Sequence, residues 1–219
     1  MCRRLSSRIS KWVVYLEHEL ARLSVEIRLR TEFHENMKDG YDALIVATGA
    51  MEAVPPIPGL AEHGIGAWEV LKNEQLIPGG NVLVVGGGMV GCEVCEHLLH
   101  NKRGPLQLTM IEMTDEIAAG MVVNEKVLVM DRLHKAQVQL LTNTKLEAVE
   151  ASGVKLKVHG EALERHDFTH VVYATGSRSN TALACALTDQ DNVYVVGDAA
   201  TVAQALEAVR DATLAAAWL

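Results

Sequence analysis

The sequence predicts an α/β fold in which a three-layer unit built on a parallel sheet is inserted into a second, discontinuous domain. Three observations carry that expectation. The stretch Asn81 to Glu112, NVLVVGGGMVGCEVCEHLLHNKRGPLQLTMIE, runs from a short apolar segment through glycines into a helical segment and out into a second apolar segment. Two further apolar segments, Tyr41 to Gly49 and Thr169 to Gly176, end alike on Ala-Thr-Gly. Between the long stretch and the second Ala-Thr-Gly, polar and apolar residues alternate around Ser152-Gly153 and Gly160, the period of antiparallel strands.

Taken in order, Ile9, Trp12, Val13, Leu16, Leu20 and Leu23 recur at helical spacing and mark an amphipathic first helix. Val25 to Leu29 reads as a short strand. A turn at Lys38-Asp39-Gly40 leads into Tyr41 to Gly49, a buried strand that stops on small residues. The proline-rich AVPPIPG, Ala53 to Gly59, suits neither helix nor sheet centre and makes a stiff crossover.

Val82 to Val85 is an apolar run short enough for the middle of a parallel sheet, and it enters Gly86, Gly88 and Gly91 at the spacing G-x-G-x-x-G. One glycine allows the tight turn, one lets a pyrophosphate approach the backbone, and one lets helix and strand pack closely. The helix after them, Met89 to Asn101, points its free N–H groups and positive dipole end toward such an anion. The strand Leu106 to Ile111 ends on Glu112, about 20 positions beyond the last glycine, where an acid accepts the adenosine ribose hydroxyls and repels a 2′-phosphate. No Arg in Met113 to Ile117 would offset that repulsion. The expected ligand is a small-molecule nucleotide, NAD(H) and not NADP(H), on a Rossmann-like unit over residues 77–150.

A helix near Asn124 to Ala136 and a strand at Val138 to Leu141 complete this unit. Strands are expected at Lys145 to Glu150, Val154 to His159, Ala162 to His166, Thr169 to Thr175 and Asn192 to Val196, the last closed by Gly197-Asp198. Ala199 to Leu219 is alanine-rich and helical, with Val202, Leu206, Val209 and Ala216 along one face. Residues 1–76 and 151–219 then form the discontinuous outer domain.

At 219 residues and 49% apolar composition the chain can bury a sizeable core, and a net charge of −8 argues against a nucleic-acid surface. No run approaches the roughly 18 apolar residues of a membrane span, and no export signal is read, so a cytoplasmic setting is expected. Cys2, Cys92, Cys95 and Cys185 form neither a disulfide framework nor an iron–sulfur spacing. Cys92-Glu93-Val94-Cys95 has the C-x-x-C form, but its place in the first turns behind the glycine loop favours core packing over redox chemistry. Glu93, His97 and His100 share one helix face, and an ordinary surface histidine pair is favoured there over a metal site.

These motifs, YDALIVATGA followed by PPIPG, then VLVVGGGMVGCE, VVYATGSRSNTAL and VYVVGDA, resemble the two-dinucleotide-binding-domain flavoproteins, FAD-containing reductases that depend on a pyridine nucleotide. Within them the chain looks most like the C-terminal FAD/NAD region of NADH:flavin oxidoreductases of the 2,4-dienoyl-CoA reductase and trimethylamine dehydrogenase type. The resemblance implies that Gly86, Gly88, Met89, Val90 and Gly91 surround the NADH pyrophosphate and that Glu112 holds the adenosine ribose. It further implies that Glu93 lies near the nicotinamide, Gly176 beside the nucleotide, Asp198 on the ribityl chain of FAD, and Thr48 and Gly49 at the hinge between domains. The chemistry so implied is hydride transfer from NADH to flavin, which requires no protein acid or base, so no catalytic residue is nominated. Family members open with a further strand and G-x-G-x-x-G for the ADP half of FAD. This sequence has none before Tyr41, and residues 1 to 49 resemble the family segment on the C-terminal side of that unit. The outer domain is therefore expected to be a partial FAD-binding domain, in an excised, truncated or degenerate relative. A non-catalytic module that binds NADH or ADP, or serves interaction alone, is the other expectation. Apolar faces left open by a lost flavin half tend to be covered, which predicts a homo-oligomer or contact with a flavin or acceptor domain.

Overall fold

The structure is a computed structural model that describes residues 2–187 and 192–219. It divides into an N-terminal unit ending at Asp42 and a unit Ala43–Leu219.

The N-terminal unit holds the first helix, α1 (Cys2–Arg22), and a 3-10 turn at Glu35–Gly40. Trp12, Val13, Leu16, Leu20 and Leu23, the apolar face read from the sequence, are exposed. The expected strand at Val25 to Leu29 does not form: Val25, Ile27 and Leu29 are exposed and the segment joins no ladder. β-branched residues favour an extended backbone, but a strand needs a hydrogen-bonded neighbour to persist.

In the second unit the chain passes through β1 (Leu44–Val46), β2 (Ala50–Glu52), α2 (Leu60–His63), β3 (Gly64–Gly66) and α3 (Ala67–Leu71). Next come β4 (Gly80–Val85), α4 (Met89–Asn101), β5 (Leu106–Ile111), α5 (Val123–Lys135) and β6 (Gln139–Leu141). After these stand β7 (Thr144–Glu150), β8 (Gly153–Val158) and β9 (Glu161–Arg165), then β10 (His170–Tyr173), β11 (Ser177–Ser179), α6 (Ala182–Ala186), β12 (Val193–Val195) and α7 (Ala205–Ala217).

The organising sheet is parallel, in the order β3-β10-β4-β5-β6. Its side chains alternate between two cores. Val82, Val84, Leu108, Met110 and Val172 face α3, α4 and α5, where Val70, Val94, Leu98, Val129 and Leu133 meet them. Leu83, Val85, Ile111, Val171 and Tyr173 face the other way, onto Leu60 and the inner residues Leu146, Val149, Val154 and Leu156. The far layer is thus the antiparallel sheet β7-β8-β9 with α2. Burial on both faces explains why β4 is apolar without interruption from Val82 to Val85, and this is the three-layer α/β, Rossmann-like fold that the sequence predicts.

The sheet reaches beyond residues 77–150. β10, apolar on both faces, inserts between β3 and β4. The two outer segments of chain meet in two small ladders, β1 parallel to β12 and β2 antiparallel to β11. On α7, Leu206, Val209 and Leu214 are exposed. Among the described residues no helix is long and apolar enough to cross a membrane.

Leu83 is fully buried. Leu83→Ala is expected to lower the unfolding free energy by about 2–5 kcal/mol, read from the urea midpoint, because the packed layers cannot collapse into the space. Leu163→Ala, on exposed β9, should stay within about 0.5 kcal/mol.

Candidate nucleotide site

The site is assembled at the C-terminal edge of the parallel sheet, where β4 turns into α4. Val85 accepts the Ala174 N–H at 2.7 Å and Gly86 donates to the Ile111 carbonyl at 2.9 Å, so the start of the turn is held by both neighbouring strands. Gly86 adopts φ +108°, and a Cβ there would stand 2.4 Å from the Ala174 carbonyl oxygen. A Cβ on Gly91 would stand 2.0 Å from the Gly86 carbonyl oxygen. Gly88, by contrast, has no neighbouring atom within 4 Å of the Cβ position and caps α4 with no side chain across its first N–H groups. The three glycines thus divide their roles: two admit close backbone contacts, and one leaves the helix start open to an approaching anion.

Gly87, which the sequence reading passed over, is crowded too, by side chains where Gly86 and Gly91 meet backbone. A Cβ there would lie 2.6 Å from Ile117 Cδ1 and 2.9 Å from Glu112 Cβ. Its N–H donates to Glu112 Oε2 at 2.8 Å, and its carbonyl accepts the Ala118 N–H at 2.6 Å. Its signal in the sequence is its place as the middle glycine of three, at the first x of G-x-G-x-x-G.

Glu112 therefore spans the loop. Oε2 takes the Gly87 N–H, while Oε1 takes the Thr114 N–H at 2.9 Å and the Thr114 hydroxyl at 3.0 Å. Burial pushes its carboxyl pKa upward. The Thr114 and Gly87 N–H groups, the Thr114 hydroxyl and the Met113 N–H outweigh that effect and leave it below the ordinary carboxylate range. The result is a fixed negative charge beside the open start of α4.

On α4, Met89 is exposed and Val90 packs on the helix-side core. Glu93 is exposed, yet desolvation by surrounding atoms, then the charges of Glu125 and Glu96, raises its pKa. Cys92 and Cys95 are free and buried between helix and sheet. Burial, then Glu96 and Glu93, pushes the Cys92 thiol up to about 11, and burial raises Cys95 as well, so both are packing groups at neutral pH. His97 and His100 lie at the far end of α4, lining a cavity of about 510 Å³ away from the glycine loop.

The remaining predicted residues fall into two places. Gly176, φ +97°, follows Ala174 and Thr175, which border the glycine loop; its carbonyl accepts the Ala53 N–H at 3.0 Å. Thr48 and Gly49 sit after β1, where the Thr48 hydroxyl donates to the Asn180 carbonyl at 2.8 Å and the Gly49 carbonyl accepts the Asn180 N–H at 2.9 Å. Asp198 lies in a 3-10 turn after β12, its Oδ1 accepting the Ala203 N–H at 3.2 Å. The fold thus gathers Gly86 to Gly91, Glu112 and residues 174–176 around one edge, and carries Thr48, Gly49 and Asp198 at the ends of the β1–β12 ladder.

Known proteins resemble this chain in sequence and in fold. A family profile described as pyridine nucleotide-disulphide oxidoreductase matches residues 11–212. The bilirubin reductase of Mediterraneibacter gnavus is 37% identical over 196 residues, covering 88% of this chain and 30% of that protein. The nitric oxide reductase FlRd-NAD(+) reductase of Escherichia coli is 27% identical over 198 residues, covering 81% of this chain and 52% of that protein. The chain thus spans about a third to a half of these relatives. A 2-naphthoyl-CoA reductase structure superposes with a TM-score of 0.79 at 22% identity, over 92% of this chain and 31% of that one. A 6-hydroxypseudooxynicotine amine oxidase from Pseudomonas geniculata gives 0.77 at 22% identity, over 95% of this chain and 34% of that one. At such identities the structural likeness concerns the fold.

Two substitutions in the loop should separate. Gly91→Ala drives a methyl into the Gly86 carbonyl and is expected to lower the unfolding midpoint clearly, whereas Gly88→Ala meets open space and should move it little. Acid unfolding tests Glu112. Its lowered pKa means that the stability it contributes is complete above the ordinary carboxylate range and lost as pH falls through the lowered value. Glu112→Gln should flatten the pH dependence of the unfolding midpoint in that acid range.

Proposed function

Because the chain belongs to the pyridine nucleotide-disulphide oxidoreductase family, we propose that it is the NADH-binding region of an FAD-dependent oxidoreductase, working in the cytoplasm and passing hydride from NADH to flavin. The observation that carries this reading is the Glu112 carboxylate, held ionised across the glycine loop by Gly87 and Thr114. In that position it accepts hydroxyls of an adenosine ribose and opposes a 2′-phosphate. The open Gly88 position and the free N–H groups of α4 receive the pyrophosphate, with Met89 and Val90 beside it, and the tight contacts at Gly86 and Gly91 keep that cradle in shape. Glu93 and Gly176 border the path toward the nicotinamide. Asp198 is assigned to the ribityl chain of FAD, and Thr48 and Gly49 to the hinge.

Nicotinamide and flavin supply the hydride donor and acceptor when bound. The chain's own residues bind, orient and exclude water, and none is required to move a proton. The relatives are named for different reactions, which supports a shared nucleotide-binding region serving varied acceptors.

A second reading is favoured by the exposed Leu206, Val209 and Leu214 of α7: a nucleotide-binding or interaction module whose apolar faces meet another copy or a flavin or acceptor domain.

Titration with NADH and NADPH, followed by nicotinamide fluorescence after a visible spectrum has been recorded, tests the proposal. Saturable binding that favours NADH by about tenfold or more (1.4 kcal/mol per decade) is expected, and Glu112→Ala should narrow the preference. Flavin absorbance with NADH-driven bleaching supports the reductase. NADH binding without reduction of any acceptor supports the module, and a chain that binds neither nucleotide refutes both nucleotide readings.

A further inference from the structure

Glu52, the last residue of β2, joins the β2–β11 ladder to the edge of the nucleotide sheet. Its Oε1 accepts the Trp68 N–H at 3.1 Å in the first turn of α3. Its Oε2 lies so close to Gly66, the end of β3, that a Cβ there would stand 2.1 Å away, with Tyr173 Oη on the same side. Gly66 is thus the residue that lets the carboxylate in. The next residue, Ala53, brackets the turn after β10: its N–H donates to the Gly176 carbonyl at 3.0 Å and its carbonyl accepts the Thr175 hydroxyl at 2.8 Å. Ala174, one residue earlier, is the group that Gly86 must clear. A continuous path of contacts therefore runs from the start of α3 through Glu52 and Ala53 to Thr175 and Gly176, and on to the glycine loop.

Sheet order says which part of a ligand this path serves. β5, which leads into Glu112, and β10, which leads into residues 174–176, flank β4 on opposite sides. A dinucleotide with its adenosine ribose at Glu112 and its pyrophosphate at the β4–α4 turn must send its other half toward β10.

We propose that Glu52 is a positioning residue for the nicotinamide half of the ligand: clamped to the start of α3, it holds the Thr175–Gly176 turn against the glycine loop. The proposal rests on the NADH reading of the site. It predicts an uneven effect, in which the half of the ligand next to β10 feels the loss of Glu52 and the half next to β5 does not.

The test uses the full chain with Glu52→Ala and Glu52→Gln. Without nucleotide, Glu52→Ala should speed amide exchange at Ala53 about tenfold and leave Val84 unchanged, while Glu52→Gln, whose amide oxygen still accepts the Trp68 N–H, stays within about threefold of the unaltered chain. With nucleotide, Glu52→Ala should raise the Kd for NADH about tenfold and that for ADP less than about twofold, with Glu52→Gln restoring most of the loss. Unchanged exchange at Ala53 in the alanine variant would overturn the clamp. Equal losses for NADH and ADP, or no loss for either, would overturn the positioning role. Failure of the unaltered chain to bind NADH or ADP would instead overturn the functional reading, and this role with it.

Discussion

The approach of Gly91 to the Gly86 carbonyl is the contact on which the rest of the site depends. A side chain at position 91 would collide with backbone at 2.0 Å, so α4 rests at its present depth on β4 only because that atom is absent. This depth lets Val94, Cys95 and Leu98 reach Val82 and Val84 and close the helix-side core. It also leaves the start of α4 level with the strand ends, where Gly88 faces open space. Packing and anion access thus follow from one missing methyl group.

Glu112 shows why the loop stays in register. A carboxylate at the end of β5 loses hydration through burial, and it is kept ionised by donors from the two segments it joins, Gly87 in the glycine loop and Thr114 just beyond its own strand. The negative charge assigned to recognition of a ribose is therefore also a structural tie. Ile117 and Ala118 close over the same turn, the first crowding Gly87 and the second donating to its carbonyl. The residue proposed for recognition thus also holds the loop together.

Much of the architecture was legible because local chemistry and tertiary demand agree. α4 and β5 run over the spans the sequence indicates, since a glycine turn, a helix-forming stretch and a two-sided apolar strand each admit one conformation well. The antiparallel strands after residue 144 were legible from alternation, because one face of β8 meets the core and the other meets solvent. Cys92 and Cys95 obey the same logic, as small residues at buried helical positions. Val25 to Leu29 shows the opposite case: extended propensity is local, but a ladder requires a partner that no residue-level pattern supplies.

The βαβ unit with its glycine turn and terminal acid was determined by the sequence itself, because spacing along one helix and two strands sets those positions directly. Which strands flank the unit was decided by tertiary structure alone. β10 lies next to β4 and not beside the β1 strand it resembles in sequence, since its two apolar faces are both covered only between β3 and β4. The crowding of Gly87, the tie from Glu112 to the loop and the reach of Glu52 to α3 arise the same way. Each joins residues at least 16 positions apart, and contacts across such separations are created when layers pack, not when a helix or a strand forms.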